Sequence, residues 1–257
     1  LCETPDTERL HQTKISFNAA QASWQGVQHI QFGPVTVLMR NHSLQYWPDT
    51  KNTGAKQLNA ALATRNPLFD DAFFHTASIS IKGFPALERL LFAKGNRIQQ
   101  PNAVECNLAN AIAKHIHETA LAIHTEWKEE ARLIAQAGST GAEESDTAFQ
   151  VYESPSEAAT AFMKSLVESI EVIRESKLEK PLDVSAQESR WKRSESWRSG
   201  QSINNIQQNI TALHELYSGT YPISVKTLLE ASDDRQHAAV IEQSFTTITA
   251  EQAQLAT

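Results

Sequence analysis

The sequence predicts an all-α protein made of two up-down helical bundles packed against each other. Nine Gly and nine Pro among 257 residues are few for a chain with many turns, so the composition favours long helices. Over long stretches, apolar residues recur at steps of three and four, which is the period of an amphipathic helix. We find no convincing strand, and each half offers about four helical segments, the number that two bundles need.

Four helices are predicted in the first half, at about residues 6–30, 53–64, 83–92 and 102–137. Residues 78–81 alternate like a strand, but they are too few to decide. The fourth helix contains neither Gly nor Pro. At roughly 1.5 Å per residue it would be about 50 Å long.

The second half begins with a linker at residues 139–154, which are small, polar and acidic. Ser154 and Pro155 then supply the capping chemistry of a helix start, and this helix ends near Pro181. Another helix, whose apolar face begins at Ile203, stops at Gly219, and two shorter ones follow. We therefore predict one domain at residues 1–138 and a second at 139–257.

Charge and motifs exclude several classes of protein. The net charge of −7 disfavours nucleic-acid binding, which needs a basic surface. No stretch is apolar for long enough to predict a membrane span. The chain also lacks a Gly-x-Ser-x-Gly elbow and a phosphate-binding glycine loop, which argues against α/β hydrolases, kinases and dinucleotide enzymes.

The two cysteines and the first residue bear on the compartment. The chain starts at Leu1 rather than Met, so we expect a targeting segment, a signal peptide, to have been removed. Cys2 and Cys106 could form a disulfide in an oxidising compartment, worth roughly 4 kcal/mol through loop closure. They could also be unrelated thiols. Cys2 could instead carry a lipid, although a lipoprotein signal has a small residue where Leu1 stands.

The segment from Lys82 to Phe92 combines a glycine turn with an amphipathic helix. Three leucines within it have the spacing of a buried stripe, and Glu88 lies inside that run. A carboxylate drawn toward the interior needs a cation, a metal or hydrogen-bond donors. The alternative is a solvated Glu88 paired with Arg89 or Lys82.

Two further polar groups are candidates for binding sites. If residues 195–202 begin the Ile203 helix, one side of it carries Glu195, Arg198, Ser199 and Ser202, and Arg198 could hold an anion or Glu88 itself. The alternative is a solvated face with a weak Glu–Arg pair. The long helix contains His115, His117, Glu118 and His124, which are either metal ligands or partly exposed histidines.

Several motifs together carry a family resemblance. They are Phe32-Gly33-Pro34, Trp47-Pro48-Asp49, Gly83-Phe84-Pro85-Ala86-Leu87-Glu88, Cys106, Lys177 to Pro181, and Glu195 with Ser199 and Ser202. On these residues the chain resembles the imelysin family, bacterial cell-envelope proteins once classed as peptidases and linked to iron uptake. The family signature is Gly-x-His-x-x-Glu. Gly83 and Glu88 match it, but Pro85 stands at the histidine position, so any role of that histidine is lost.

The resemblance implies two helical bundles with a site where they meet. We expect the ligand-binding residues to include Glu88, which is also the candidate metal ligand. The other members of the predicted set are Trp47, Asp49, Lys82, Gly83, Pro85, Glu195, Arg198, Ser199 and Ser202.

The resemblance also implies a periplasmic or envelope-bound protein that functions in iron uptake without catalysis. Its cofactor would be iron or another divalent cation, and its partner an iron-uptake or cell-envelope protein. One alternative is a metallopeptidase with Glu88 as general base, for which we cannot identify three metal ligands. The other is a structural protein that contacts an envelope component through an aromatic patch of Trp47, Trp191 and Trp197.

Overall fold

The computed structural model describes residues 1–64, 69–92, 98, 103–138, 152–183, 188–219 and 224–255. These residues form helices, turns and loops without a β-strand, which confirms the predicted all-α fold class. Within the same ranges, every helix is too short or too polar to cross a bilayer. Most of the predicted linker, residues 139–151, lies outside the described residues.

Within the described residues, six α-helices precede the linker region. A helix of 32 residues dominates this part of the chain and matches the long helix predicted from the apolar period. Short 3₁₀ helices occupy Gly33–Val35, Val37–Met39 and Ile79–Ile81, so the ambiguous residues 78–81 do not form a strand. The α-helices are α1 (Thr7–Val27), α2 (Arg40–Leu44), α3 (Thr53–Leu62), α4 (Asp71–Thr76), α5 (Phe84–Phe92) and α6 (Val104–Ala135).

The helices after the linker region include one irregular segment. Residues Ile173–Glu179 form a π-helix, in which each turn is wider than in an α-helix. A 3₁₀ helix spans Trp191–Arg193. The α-helices are α7 (Pro155–Val172), α8 (Lys180–Leu182), α9 (Ser202–Ser218), α10 (Val225–Glu230) and α11 (Arg235–Leu255).

The chain divides into two compact units. The first unit is Leu1–Ala19 with Gln31–Phe162, and the second is Ala20–Ile30 with Met163–Thr257. Helix α1 thus supplies residues to each. The predicted arrangement of two up-down bundles stays a prediction.

The core of the first unit forms where α5 packs against α6 and α3. Phe17 from α1 meets Phe84 edge to face, with ring centroids 6.0 Å apart, and its ring lies 5.5 Å from that of Phe92. A disulfide joins Cys2 to Cys106 near the start of α6. The structure therefore shows neither free thiols nor a lipid-bearing Cys2.

The second unit has its own apolar core, where α9 packs against α10 and α11. Tyr217 is almost fully buried there, and its hydroxyl donates a hydrogen bond of 3.1 Å to the carbonyl oxygen of Ala238. The other fully enclosed members of this core are Leu166, Ile173, Ile206, Ile210, Leu213 and Phe245.

Candidate functional site

The glycine of the signature stands where the chain passes close to another segment. A Cβ atom on Gly83 would lie 2.2 Å from the carbonyl oxygens of both Ser43 and Leu44. No side chain fits in that gap, so the turn requires glycine. The close approach fixes the start of α5 against the end of α2, and with it the neighbouring residue Lys82.

The charge of Lys82 acts on His115, whose ring in turn contacts an aromatic ring and a serine. The ring of His115, from α6, stacks on Phe74 at 4.9 Å, and its Nε2 atom is 3.5 Å from Ser43 Oγ. Burial lowers the pKa of Lys82. Burial and, secondly, the Lys82 charge lower the pKa of His115, so the imidazole is neutral at pH 7.

Glu88 is buried, with only 4% of its surface exposed. The alternative of a solvated Glu88 is therefore wrong. The physical reason is helical spacing, because Glu88 follows Phe84 by four positions and precedes Leu91 by three, on the buried face of α5. The proposed pairing with Arg89 is replaced by another ion pair, since Arg89 Nη2 lies 3.8 Å from Asp49 Oδ2.

Asp49 caps a helix. Its carboxylate accepts hydrogen bonds from the backbone N–H groups of Thr53 at 2.7 Å and Gly54 at 2.8 Å, at the start of α3. Trp47 and Pro85, the other predicted binding residues of this unit, are both half-buried. The Asp49 carboxylate thus organises the local structure around the signature turn.

The second unit contains a buried lysine that sequence reasoning did not single out as a site residue. Lys177 lies in the π-helix, and its Nζ atom donates to four surrounding oxygen atoms. The distances are 2.8 Å to Gln25 Oε1, 2.8 Å to Gln28 Oε1, 2.8 Å to Glu195 Oε2 and 2.6 Å to Asn209 Oδ1. An ammonium has three protons, so these acceptors more than satisfy it.

Among the predicted residues 195–202, Glu195 contacts Lys177, and the segment does not form one helix face. Helix α9 begins only at Ser202, because Ser196 and Gly200 have φ angles of 53° and 72°, outside the helical region. The expectation that Glu195, Arg198 and Ser199 share one helix face is therefore wrong. Glu195 is held in place by its backbone oxygen as well, which accepts a 2.7 Å hydrogen bond from Ser202 Oγ.

The remaining members of that group have separate local contacts. Ser199 Oγ donates to the Ser196 carbonyl oxygen at 3.0 Å. The Arg198 guanidinium lies 4.1 Å above the Trp197 ring. Two buried polar atoms near Lys177 and Glu195, Gln25 Nε2 and Asn205 Oδ1, make no hydrogen bond.

A further buried carboxyl lies in the first unit. Glu130 is fully enclosed, and its Oε1 atom accepts a 2.8 Å hydrogen bond from the Tyr152 hydroxyl, while Oε2 has no partner among the residues that the structure describes. Gly33 makes room for it, because a Cβ atom there would lie 2.9 Å from the Glu130 carboxyl carbon. Burial raises the pKa of Glu130, although the Tyr152 hydrogen bond opposes this.

The donor set does not fit a metal centre held by the protein alone. Within the described ranges, no three His, Cys, Asp or Glu side chains lie close enough together to hold an ion. This applies to the predicted ligands on α6, His115, His117, Glu118 and His124, and to Glu88. Pro85 offers no ligand atom. We derive no chemical step through a metal at these residues.

Comparisons with known proteins give one family model and two structures of similar fold. The family model described as Imelysin matches residues 1–257. A search among curated proteins finds no match. The fold resembles an imelysin-like protein from Psychrobacter arcticum, at 19% identity and a TM-score of 0.73, over 97% of this chain and 72% of that one. It also resembles a protein from Parabacteroides distasonis named as an iron-regulated protein A precursor, at 16% identity and a TM-score of 0.59, over 95% and 74% of the two chains. The chain belongs to the imelysin family.

Proposed function

We propose that this protein is a cell-envelope binding protein that takes part in iron uptake, and that Lys82 and its neighbours bind an anionic ligand. The observation that carries the proposal is a half-buried lysine beside a neutral histidine. No ion-pair partner of Lys82 is found in the part of the chain that the structure describes. A lysine that has lost part of its hydration and lacks a carboxylate is suited to bind an external anion.

The surroundings of Lys82 support a defined ligand geometry. Gly83 fixes the backbone beside it, and the stacked ring of His115 is held between Phe74 and Ser43. The neutral imidazole and the Ser43 hydroxyl can each donate one hydrogen bond to a carboxylate ligand. Iron travels in solution bound to anionic chelators, so an anion site is compatible with a role in iron uptake.

Two observations support the compartment and the pathway. The disulfide between Cys2 and Cys106 is typical of an oxidising compartment such as the periplasm. The name of the Parabacteroides distasonis protein includes regulation by iron. We extend both properties to this chain as part of the proposal. The expectation that Glu88 and Arg198 bind one ligand stays a prediction.

Calorimetric titration with ferric citrate, with citrate alone and with Fe(II), Zn(II) and Ca(II) salts tests the proposal. We expect ferric citrate or citrate to bind, and Lys82→Gln to weaken that binding by at least about tenfold, or about 1.4 kcal/mol. The matched control is Lys56→Gln, because Lys56 is an exposed lysine of the same unit.

Three results would contradict the proposal or part of it. Equal affinities of the Lys82→Gln and Lys56→Gln variants would remove Lys82 from the site. An affinity no tighter than about 1 mM for every probe would contradict a binding role. Binding of the metal salts alone that is lost in Glu88→Gln would replace the anion site with a metal site at the signature glutamate.

A further inference from the structure

A short loop of the second unit concentrates positive charge and exposed aromatic surface. Residues Ser189–Arg193 line a shallow, open surface depression of about 360 Å³. The loop is attached to the end of α8, because the backbone N–H of Arg190 donates a 2.7 Å hydrogen bond to the carbonyl oxygen of Pro181. The attachment brings the loop next to Leu182, the last residue of that helix.

Two indole rings of this loop contact each other, and a cation lies over each ring. Lys192 Nζ lies 5.3 Å above the Trp191 ring, the Trp191 and Trp197 rings meet edge to face at 5.2 Å, and the Arg198 guanidinium lies 4.1 Å above the Trp197 ring. Each contact is in the range of a cation–π or aromatic interaction. The four side chains therefore support one another on the surface. We call Leu182, Arg190–Arg193, Trp197 and Arg198 the basic–aromatic loop.

Apolar side chains of the basic–aromatic loop are exposed to water as well as its charged ones. Trp191 is 55% exposed and Leu182 is 58% exposed. A protein in water gains nothing by exposing two such large apolar side chains side by side. An apolar surface of this kind indicates a partner that covers it.

The charge of the loop is opposite to that of the whole protein. The loop has four cations, Arg190, Lys192, Arg193 and Arg198, whereas the chain as a whole carries −7. Two described acidic residues lie nearby in the sequence, Asp183, which pairs with Arg190 at 3.3 Å, and Glu188. Glu195 does not offset the loop, because it is buried against Lys177.

We propose that the basic–aromatic loop attaches the protein to the surface of a membrane that contains anionic phospholipids. Tryptophan rings favour the boundary between water and hydrocarbon, where Leu182 can also be buried. Lysine and arginine are attracted to the phosphate groups of anionic lipids. An acidic protein would match the cations but leaves the exposed Leu182 and Trp191 without a specific reason.

Sedimentation with lipid vesicles tests the attachment. We compare vesicles of phosphatidylcholine with vesicles that contain about one third phosphatidylglycerol, at low and high salt. The wild-type protein is expected to bind only the anionic vesicles, and high salt is expected to weaken that binding. The variant Arg190→Gln/Lys192→Gln/Arg193→Gln should reduce binding by at least about tenfold.

A matched control removes the same number of charges elsewhere in the second unit. Lys164, Arg174 and Arg235 are all exposed, so Lys164→Gln/Arg174→Gln/Arg235→Gln should bind as the wild type does. Circular dichroism melts of both triple variants establish that each is folded. Brominated lipids provide a second readout, because they should quench the emission of Trp191 and Trp197. The variant Trp191→Phe/Trp197→Phe should lose that quenching, while Trp47→Phe should keep it.

Three outcomes would overturn the proposal. One is the absence of binding to anionic vesicles by the folded wild type. Another is an equal loss of binding in the two triple variants, which would indicate a general effect of charge. The third is binding to polyglutamate, but not to vesicles, through Arg190, Lys192 and Arg193, which would assign the loop to an acidic protein partner.

Discussion

The surroundings of Lys177 and Glu130 are two opposite ways of burying an ionisable side chain. In the second unit, Lys177 meets the carboxylate of Glu195 and three amide oxygens, and both charged side chains are at most 3% exposed. In the first unit, Glu130 is equally enclosed, but it has a single hydrogen bond, from a neutral tyrosine. The ammonium has more partners than protons, whereas the carboxyl has an oxygen without a partner.

The number of hydrogen-bond partners determines how each buried group affects stability. A charge with a full set of partners is costly to disturb and fixes the segments that surround it. A carboxyl with one partner is costly to ionise, so its stability depends on pH. We therefore expect the cluster around Lys177 to act as a permanent structural centre, and Glu130 to respond to acidity.

The largest expected effect is that of breaking the buried ion pair. Lys177→Met would leave the Glu195 carboxylate buried without its cation, which should lower the free energy of unfolding by about 3–5 kcal/mol. Urea unfolding followed by circular dichroism measures the change. Lys177→Met/Glu195→Leu should recover most of the loss, because no charge stays buried. A double variant as unstable as the sum of its single variants would contradict this account.

Removal of the hydroxyl that bonds Glu130 should have the next largest effect. Tyr152→Phe leaves both oxygens of the buried carboxyl without a partner, which should cost about 1–3 kcal/mol. The comparison is Tyr217→Phe, because the Tyr217 hydroxyl donates to a neutral carbonyl oxygen. Thermal unfolding above neutral pH should show a larger loss of free energy of unfolding in Tyr152→Phe than in Tyr217→Phe. An equal loss in both variants would mean that Glu130 stays uncharged throughout.

Replacement of the carboxyl itself tests the expected pH dependence. Burial raises the pKa of Glu130 in the folded protein. At a pH below the ordinary glutamate pKa of about 4.3, both states hold the proton and the group contributes nothing. As the pH rises, Glu130 loses its proton in the unfolded chain first. The free energy of unfolding of the wild type therefore falls until the pH exceeds the pKa of Glu130 in the folded protein.

Glu130→Gln lacks this titration. It should therefore match the wild type near pH 4 and have the higher free energy of unfolding near pH 8. Urea unfolding at a series of pH values measures the difference. A constant difference across the series would show that Glu130 does not titrate between the two states.

The smallest effect is expected at an exposed ion pair, which provides the baseline for both buried groups. Lys164 Nζ and Glu168 Oε1 are 3.6 Å apart on α7, and both side chains are more than half exposed. Lys164→Gln should change the free energy of unfolding by less than about 0.5 kcal/mol. A change comparable to that of Lys177→Met would remove the distinction between buried and surface pairs.

The apolar period predicted the positions of the helices better than it predicted which polar side chains are buried. It located α5 and α6 to within two residues at each end, because their apolar stripes are long and uninterrupted. The apolar period did not decide whether Glu88 is buried, because the predicted stripe consisted of leucines only. Phe84 also belongs to the buried face, and its position four residues earlier places Glu88 on that face.

Lys177 was missed as a site residue for a related reason. It lies between Ser176 and Leu178 in a run of polar residues that reads as the exposed side of an ordinary α-helix. Its four partners come from α1, the turn that follows α1, the turn before α9, and α9 itself, which are far apart in the sequence. Glu195 was assigned to a helix because the left-handed backbone at Ser196 cannot be read from a serine.

The π-helix makes the position of Lys177 dependent on chain length as well as on residue type. In an α-helix each residue turns the chain by about 100°. Deletion of one residue from the stretch before Lys177 would allow regular α-helical turns there, and it would point every following side chain in a new direction. A variant with a single-residue deletion could therefore keep every amino acid of the charged cluster and still lose the cluster.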